Sequence, residues 1–235
     1  MKILTIDSAS ESFSVSIFDE DKILSEVFLK KTGKQLTYLA QSLDYAFLMS
    51  GLDRKDIELV CVSSGPGSFT GIRLAEVTAM TFSQIMSVPV APINTLDSVY
   101  EAVKFYKRNV AVAFDARRDE IFTAIYGDNK RLTDYLAVSV KEFNALLKKY
   151  EVKFVTGNAI TRYGANMKNV VPEIEFANDF FWYPHGFALA SIGLEMYNNG
   201  KTIPFNEVRP FYMRKPEAEE TREKKLKEQA NKKDE

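Results

Sequence analysis

A short apolar strand pattern that closes on an aspartate occurs twice in this chain, at Lys2–Asp7 (KILTID) and again at Val110–Asp115 (VAVAFD). Each copy is followed by further strand patterns and then by a helix. After the first, residues 13–18 alternate Phe13, Val15 and Ile17 with serines, the period-two pattern of a strand with one face buried. Residues 23–29 predict a third strand, 35–49 a helix closed by Ser50-Gly51, 57–63 a strand, 72–86 a helix, 88–93 a short strand and 95–106 a helix. After the second copy, residues 120–126, 136–140 and 152–156 predict strands. Residues 141–149 predict a helix, 162–167 a further segment, and 186–199 a helix that starts after Pro184. The recurrence predicts two lobes of like architecture, residues 1–107 and 108–214. The halves share little residue identity, so the repeat is one of element order.

Hydrophobic residues make up 46% and charged residues 27% of the 235, enough apolar material for a core of that size. Lys and Arg total 31 against 32 Asp and Glu, a formal net charge of -1. That balance argues against a chain that grips a phosphate backbone alone, and leaves room for a subunit whose partner does so. Cys61 is the single cysteine, so no disulfide forms within the chain. The opening MKILTID runs straight into a strand pattern and predicts no leader, and no run approaches the ~20 apolar residues that cross a bilayer. The cytosol is the expected compartment. Residues 215–235 carry almost no apolar side chain and are predicted to be disordered.

The most distinctive string is Ser63 to Ala75 (SSGPGSFTGIRLA), between a strand and a helix. Gly65, Gly67 and Gly71 are spaced GxGxxxG, one residue too long for the dinucleotide fingerprint. No Lys follows the last glycine, so the phosphate-loop signature fails too. The glycines alone predict a tight strand-to-helix turn, with Pro66 stiffening it and Thr70 capping the helix. Such a position can also present backbone N–H groups to an anion.

The two flanking helices each show two apolar stripes. On the first, Leu36, Leu39, Leu43 and Ala46 form one, and Tyr38, Tyr45 and Leu48 another. On the second, Leu74, Val77, Thr81 and Ile85 stand against Ala75, Ala79, Phe82 and Met86. Either the helices are buried on two sides, or one stripe faces a partner; Tyr38, Tyr45, Leu48, Leu74, Val77 and Phe82 are the candidate partner-facing residues.

The loop from Gly65, Pro66, Gly67, Ser68, Phe69, Thr70 and Gly71 to Arg73 resembles the GPGSFTGxR motif of the TsaB (YeaZ-like) family of tRNA threonylcarbamoyladenosine biosynthesis proteins. Residues 3–11 (ILTIDSASE) resemble that family's ILAIDTATE-type opening, and Phe114 to Phe122 (FDARRDEIF) its IDAR-x-x-E segment. Trp182 to Ala190 (WYPHGFALA) resembles the Pro-anchored start of its last helix, and Pro210 to Arg214 (PFYMR) its P-x-Y-L/M-R ending. The resemblance implies an α/β, two-lobed fold of the actin, Hsp70 and sugar-kinase superfamily, with ribonuclease H-like lobes. It also implies a role beside a TsaD-like catalytic paralogue, a TsaE-like ATPase and a threonylcarbamoyl-AMP synthase. Together these modify N6 of the adenosine next to the anticodon of ANN-decoding tRNAs. Pairing would run through the first-lobe helices, and a homodimer could use the same face. ATP and metal are expected on the partner subunits, and tRNA only through the complex.

The residues predict no catalytic set in this chain. The paralogue's HxxxH metal pair falls here on Gln35 and Leu39, and an amide and an isobutyl group cannot replace two imidazoles. The only histidine, His185, is predicted at the surface or at a helix start. Cys61 lies in an apolar run and reads as an inert thiol. Ser68 and Thr70 have no histidine placed beside them by sequence. Asp7 and Asp115 are candidates for a vestigial nucleotide site, and Asp7 also reads as a turn former. Arg117, Arg118, Arg162, Arg209 and Arg214 could assist a nucleotide or tRNA at a shared cleft. The competing readings are an ATP-dependent enzyme of the same superfamily acting alone, and a metallopeptidase.

Overall fold

In the computed structural model, the described residues are 1–30, 35–106 and 108–214, with residues 35–37 described by backbone only. The expectation for 215–235 lies outside them. The first sheet joins β1 (Lys2–Asp7), β2 (Ser12–Asp19), β3 (Lys22–Lys30), β4 (Leu59–Gly65) and β5 (Val90–Asn94) in the order β3-β2-β1-β4-β5. β1, β2 and β3 form an antiparallel meander, while β4 and β5 run parallel to β1. Parallel neighbours need crossovers, supplied by α1 (Gln35–Ser50) and α2 (Phe69–Met86).

The second sheet repeats this order. β6 (Val110–Asp115) pairs antiparallel with β7 (Glu120–Gly127), and β7 pairs in turn with β9 (Leu136–Ser139) and with the short β8 (Lys130–Arg131). β10 (Phe154–Thr156) and β11 (Glu175–Phe176) extend it in parallel. The crossover helices are α4 (Val140–Lys149) and α5 (Ala159–Val170). The order β9-β7-β6-β10-β11 thus mirrors β3-β2-β1-β4-β5, with the two aspartate-ended strands, β1 and β6, in the same central place.

Two helices alter the expected lobe division. α3 (Thr95–Glu101) packs Leu96, Val99 and Tyr100 against Val110, Val112 and Phe114 of the second sheet. It ends earlier than expected, and residues 102–106 continue as turns. α6 (Gly186–Asn198), expected with residues 108–214, lies instead on the first sheet. Its Leu189 and Ala190 bury Ile3, Leu59, Cys61 and Ala91 on the face opposite α1 and α2. Ile203 then bridges to Val90. The boundary at 108–214 fails because the chain returns to the first lobe after the second is built.

The same helix corrects the reading of β2. Ser12, Ser14 and Ser16 are as fully buried as Phe13, Val15 and Ile17. The α6 backbone approaches this serine face so closely that a Cβ at Gly186 would collide with Ser16. Small hydroxyl side chains therefore mark a helix contact, not a solvent face.

Candidate functional site

At the end of β4 the chain turns through Gly65 (φ +108) and Gly67 into α2. A Cβ on Gly67 would strike the carbonyl of Ala9, and one on Gly65 would lie 2.5 Å from the carbonyl of Phe211. Both glycines are thus fixed by neighbouring backbone. Ser68, not Thr70, caps α2: its Oγ accepts the Gly71 N–H at 3.3 Å, while its own N–H donates to Ala9 O at 2.6 Å. Thr70 lies inside the first turn, because the helix begins three residues earlier than its apolar period suggests.

This turn forms one wall of a cleft of about 870 Å³ between the two sheets. Ala9, Ser10 and Glu11 of the β1–β2 turn and Lys30 complete that wall. Phe114, Asp115, Arg117, Phe122, Asn158 and Arg162 stand opposite, and Phe211 to Arg214 run across. Of the two candidate aspartates, Asp115 lines the cleft. Its Oδ1 accepts the Arg117 N–H at 2.7 Å, and Arg162 lies 4.0 Å from Oδ2. Asp7 is fully buried, does not line the cleft, and accepts the Ala9 N–H at 3.1 Å, a turn-forming bond. Arg162 also pairs with Asp119 at 2.9 Å, and Arg214 with Glu120 at 2.7 Å. Arg209 points elsewhere, donating to the carbonyls of Asn206 and Val208. Arg118 is not among the cleft-lining residues.

The second notable surface is on α1 and α2. These helices pack side by side on the first sheet, with Phe47 and Phe82 stacked at 5.8 Å and Ala75 and Ala79 fully buried. Phe82 therefore belongs to the core, and its assignment to a partner face is corrected: the stripe of Ala75, Ala79 and Phe82 is the one that fits the sheet. The other stripe faces outward, with Val77 60% and Ile85 68% exposed and Leu74 half-buried. On α1, Tyr45 is 53% and Leu48 75% exposed, while Tyr38 packs partly against the core. Met49, 57% exposed, adds to this face. Its place four residues after Tyr45 was the available signal.

The remaining candidates lie apart from both surfaces. His185 is 1% exposed, not at the surface as one expectation had it, and occupies the N-cap position of α6. A carbonyl can only accept, so His185 Nε2 donates to Phe180 O at 2.6 Å, and the ring stacks on Phe28 at 4.9 Å. Burial lowers its pKa. Cys61 is fully buried under Gly193 of α6, and burial raises its thiol pKa. Leu39 is a core side chain at 2% exposure. Among the described residues, no group of three His, Cys, Asp or Glu side chains converges to hold a metal ion, and no helix is long and apolar enough to cross a membrane.

Residues 32–219 match the family described as TsaD, tRNA N6-adenosine threonylcarbamoyltransferase. The tRNA threonylcarbamoyladenosine biosynthesis protein TsaB of Bacillus subtilis is 26% identical over 130 residues, 54% of this chain and 55% of the relative. The TsaB of Buchnera aphidicola from Acyrthosiphon pisum is 30% identical over 132 residues, 54% of this chain and 58% of the relative. The chain thus spans about half the length of these curated relatives. Among solved structures, YeaZ from Pseudomonas aeruginosa superposes with a TM-score of 0.74 at 17% identity, covering 90% of this chain and 99% of that one. This likeness places the chain in the two-lobed, actin-like α/β fold class.

Proposed function

Because the chain belongs to the TsaB (YeaZ-like) branch of the family described as TsaD, tRNA N6-adenosine threonylcarbamoyltransferase, we propose that it is a non-catalytic, cytosolic subunit that pairs with a TsaD-like paralogue. In that role it supports N6-threonylcarbamoylation of the adenosine beside the anticodon of ANN-decoding tRNAs. A TsaE-like ATPase completes the assembly, ATP and metal sit on the partner subunits, and tRNA is met through the complex.

One observation carries this reading: Tyr45, Leu48, Met49, Val77 and Ile85 are exposed together on two neighbouring helices. Exposed apolar side chains concentrated on two adjacent helices support a protein contact, since leaving them in water forfeits the free energy of their burial. Docked against the same two helices of a homologous fold, it would close a four-helix bundle. The subunit's effect on catalysis would then come from differential contact with one conformation of the paralogue.

Co-purification with the paralogue tests the pairing. Leu48→Glu and Val77→Glu, at exposed positions, are expected to fold normally and lose the partner. Retention of both variants at wild-type stoichiometry refutes the docking face, and loss of self-association alone assigns the face to a second copy of this chain.

A further inference from the structure

The strings at 63–75, 114–122 and 210–214 meet at the cleft, yet pairing through α1 and α2 uses nothing of the third. The last described segment leaves the first sheet at Val208, 2% exposed. Phe211 N donates to Ser64 O at 2.7 Å, and its carbonyl passes where only a glycine at 65 leaves room. Tyr212 stacks on Phe69 at 4.7 Å, and its hydroxyl accepts Arg73 Nε at 2.9 Å. Arg73 itself lies 4.0 Å over the Phe69 ring.

The same segment then grips the second sheet. Phe211 meets Tyr135 edge-on at 5.3 Å, and Met213 packs against the apolar cluster that includes Phe114 and Phe122. Arg214 Nη1 donates to Glu120 at 2.7 Å, Nη2 donates to Ala116 O, and its cation lies 5.3 Å from the Phe122 ring centre. The turn so held contains three consecutive left-handed residues other than glycine, Arg117, Arg118 and Asp119 (φ 61, 54 and 59). Such a backbone persists only where its surroundings over-determine it.

We propose that residues 209–214 form a clasp that fixes the relative setting of the two sheets. Through Arg73 and Phe69 it also holds the first turns of α2, the helix that presents Leu74 and Val77. Arg73, Tyr212 and Arg214 are then positioning residues for the docking face. This second part rests on the proposed pairing; the first does not.

Hydrogen exchange on the full chain tests the clasp alone. Among the described residues the hydrogen bonds and ring contact of Arg214 go to Ala116, Glu120 and Phe122 of the second lobe, yet Arg214→Ala is expected to speed exchange about tenfold at residues 64–72 as well as at 116–120, as suits the loss of one charge-assisted hydrogen bond. Tyr212→Phe, which removes only the acceptor for Arg73, should do the same more weakly. In Arg73→Ala/Arg214→Ala the exchange at both stretches should rise by about the product of the two single effects, because one opening releases the whole segment and the two losses, which share no partner, add in free energy. Acceleration confined to 116–120, or a double variant in which each stretch shows only the effect of the substitution at its own end, overturns the clasp. Affinity for the paralogue reads the second part: Arg214→Ala should weaken it several-fold and Arg214→Lys restore part of it. Unchanged affinity with coupled exchange refutes the link to docking while the clasp stands; failure of the wild type to pair refutes the docking reading instead.

Discussion

The carboxylate of Glu26, on edge strand β3, accepts the backbone N–H of Gly186 at 3.3 Å, across a sequence separation of 160. The same Oε1 accepts the Ser16 hydroxyl at 3.2 Å. A carboxylate at a helix N-terminus meets the unsatisfied N–H groups and the positive end of the helix dipole. Here it does so from another part of the chain, because His185, in the N-cap position, makes no side-chain capping bond.

Glu26→Ala should therefore cost about 1 kcal/mol of unfolding free energy, with Glu26→Gln between it and wild type. Urea unfolding at neutral pH checks this. Equal stability of all three forms contradicts a capping role.

Glu76 gives the chain an unusual pH dependence. It is 3% exposed on the inner side of α2, its Oε1 has no hydrogen-bond partner among the described residues, and burial pushes its carboxyl up to about 7 against the nearby Arg209 charge. A folded-state pKa above the unfolded value of 4.5 means the folded chain holds the extra proton. The contribution to stability is whole below pH 4.5 and is lost as pH rises through about 7, a change of roughly 3 kcal/mol. Glu76→Gln should stabilise the protein at pH 8 and leave it nearly unchanged at pH 4.5. Unfolding curves at both pH values decide it, and a variant equally stable or weaker at pH 8 refutes the account.

His185 acts with the opposite sign. Its folded pKa lies below the unfolded value, so its contribution is whole above pH 6.5 and falls as pH drops through the folded pKa. His185→Phe keeps the ring against Phe28 and should flatten the acid side of the stability profile. An unaltered slope below pH 6.5 would show that the ring does not titrate on unfolding.

How far such features can be read from sequence depends on what each pattern encodes. The repeated aspartate-ended strand revealed both sheets and their shared order, because buried central strands are written as short, mostly apolar runs. Helical spacing divided α2 correctly into two stripes, but it cannot say which one meets the sheet. Phe82 is aromatic, a residue type that suits partner surfaces, yet it lies with Ala75 and Ala79 on the stripe buried against the sheet. The buried serines of β2 and the move of α6 onto the first sheet depend on packing between distant segments, which no local period records. The cleft is intermediate: its three strings stood out individually, but only the fold brings Arg214 to Glu120 and Tyr212 to Arg73.

Truncation separates core from surface on α1 and α2. Phe82→Ala should cost about 3–5 kcal/mol through loss of its stack on Phe47 and the cavity left behind. Leu48→Ala, at 75% exposure, should stay within about 0.5 kcal/mol of wild type. Thermal and urea unfolding of the free chain test both, and comparable losses would mean that the helices sit differently from this packing.

The most direct test of the subunit role is threonylcarbamoylation of an ANN-decoding tRNA in a purified system holding the paralogue, the ATPase and threonylcarbamoyl-AMP, with this chain present, absent, or supplied without the paralogue. The account predicts full modification only when chain and paralogue are both present, and none from the chain without the paralogue. Modification by the chain without the paralogue, or equal modification by the paralogue when the chain is left out, would contradict it.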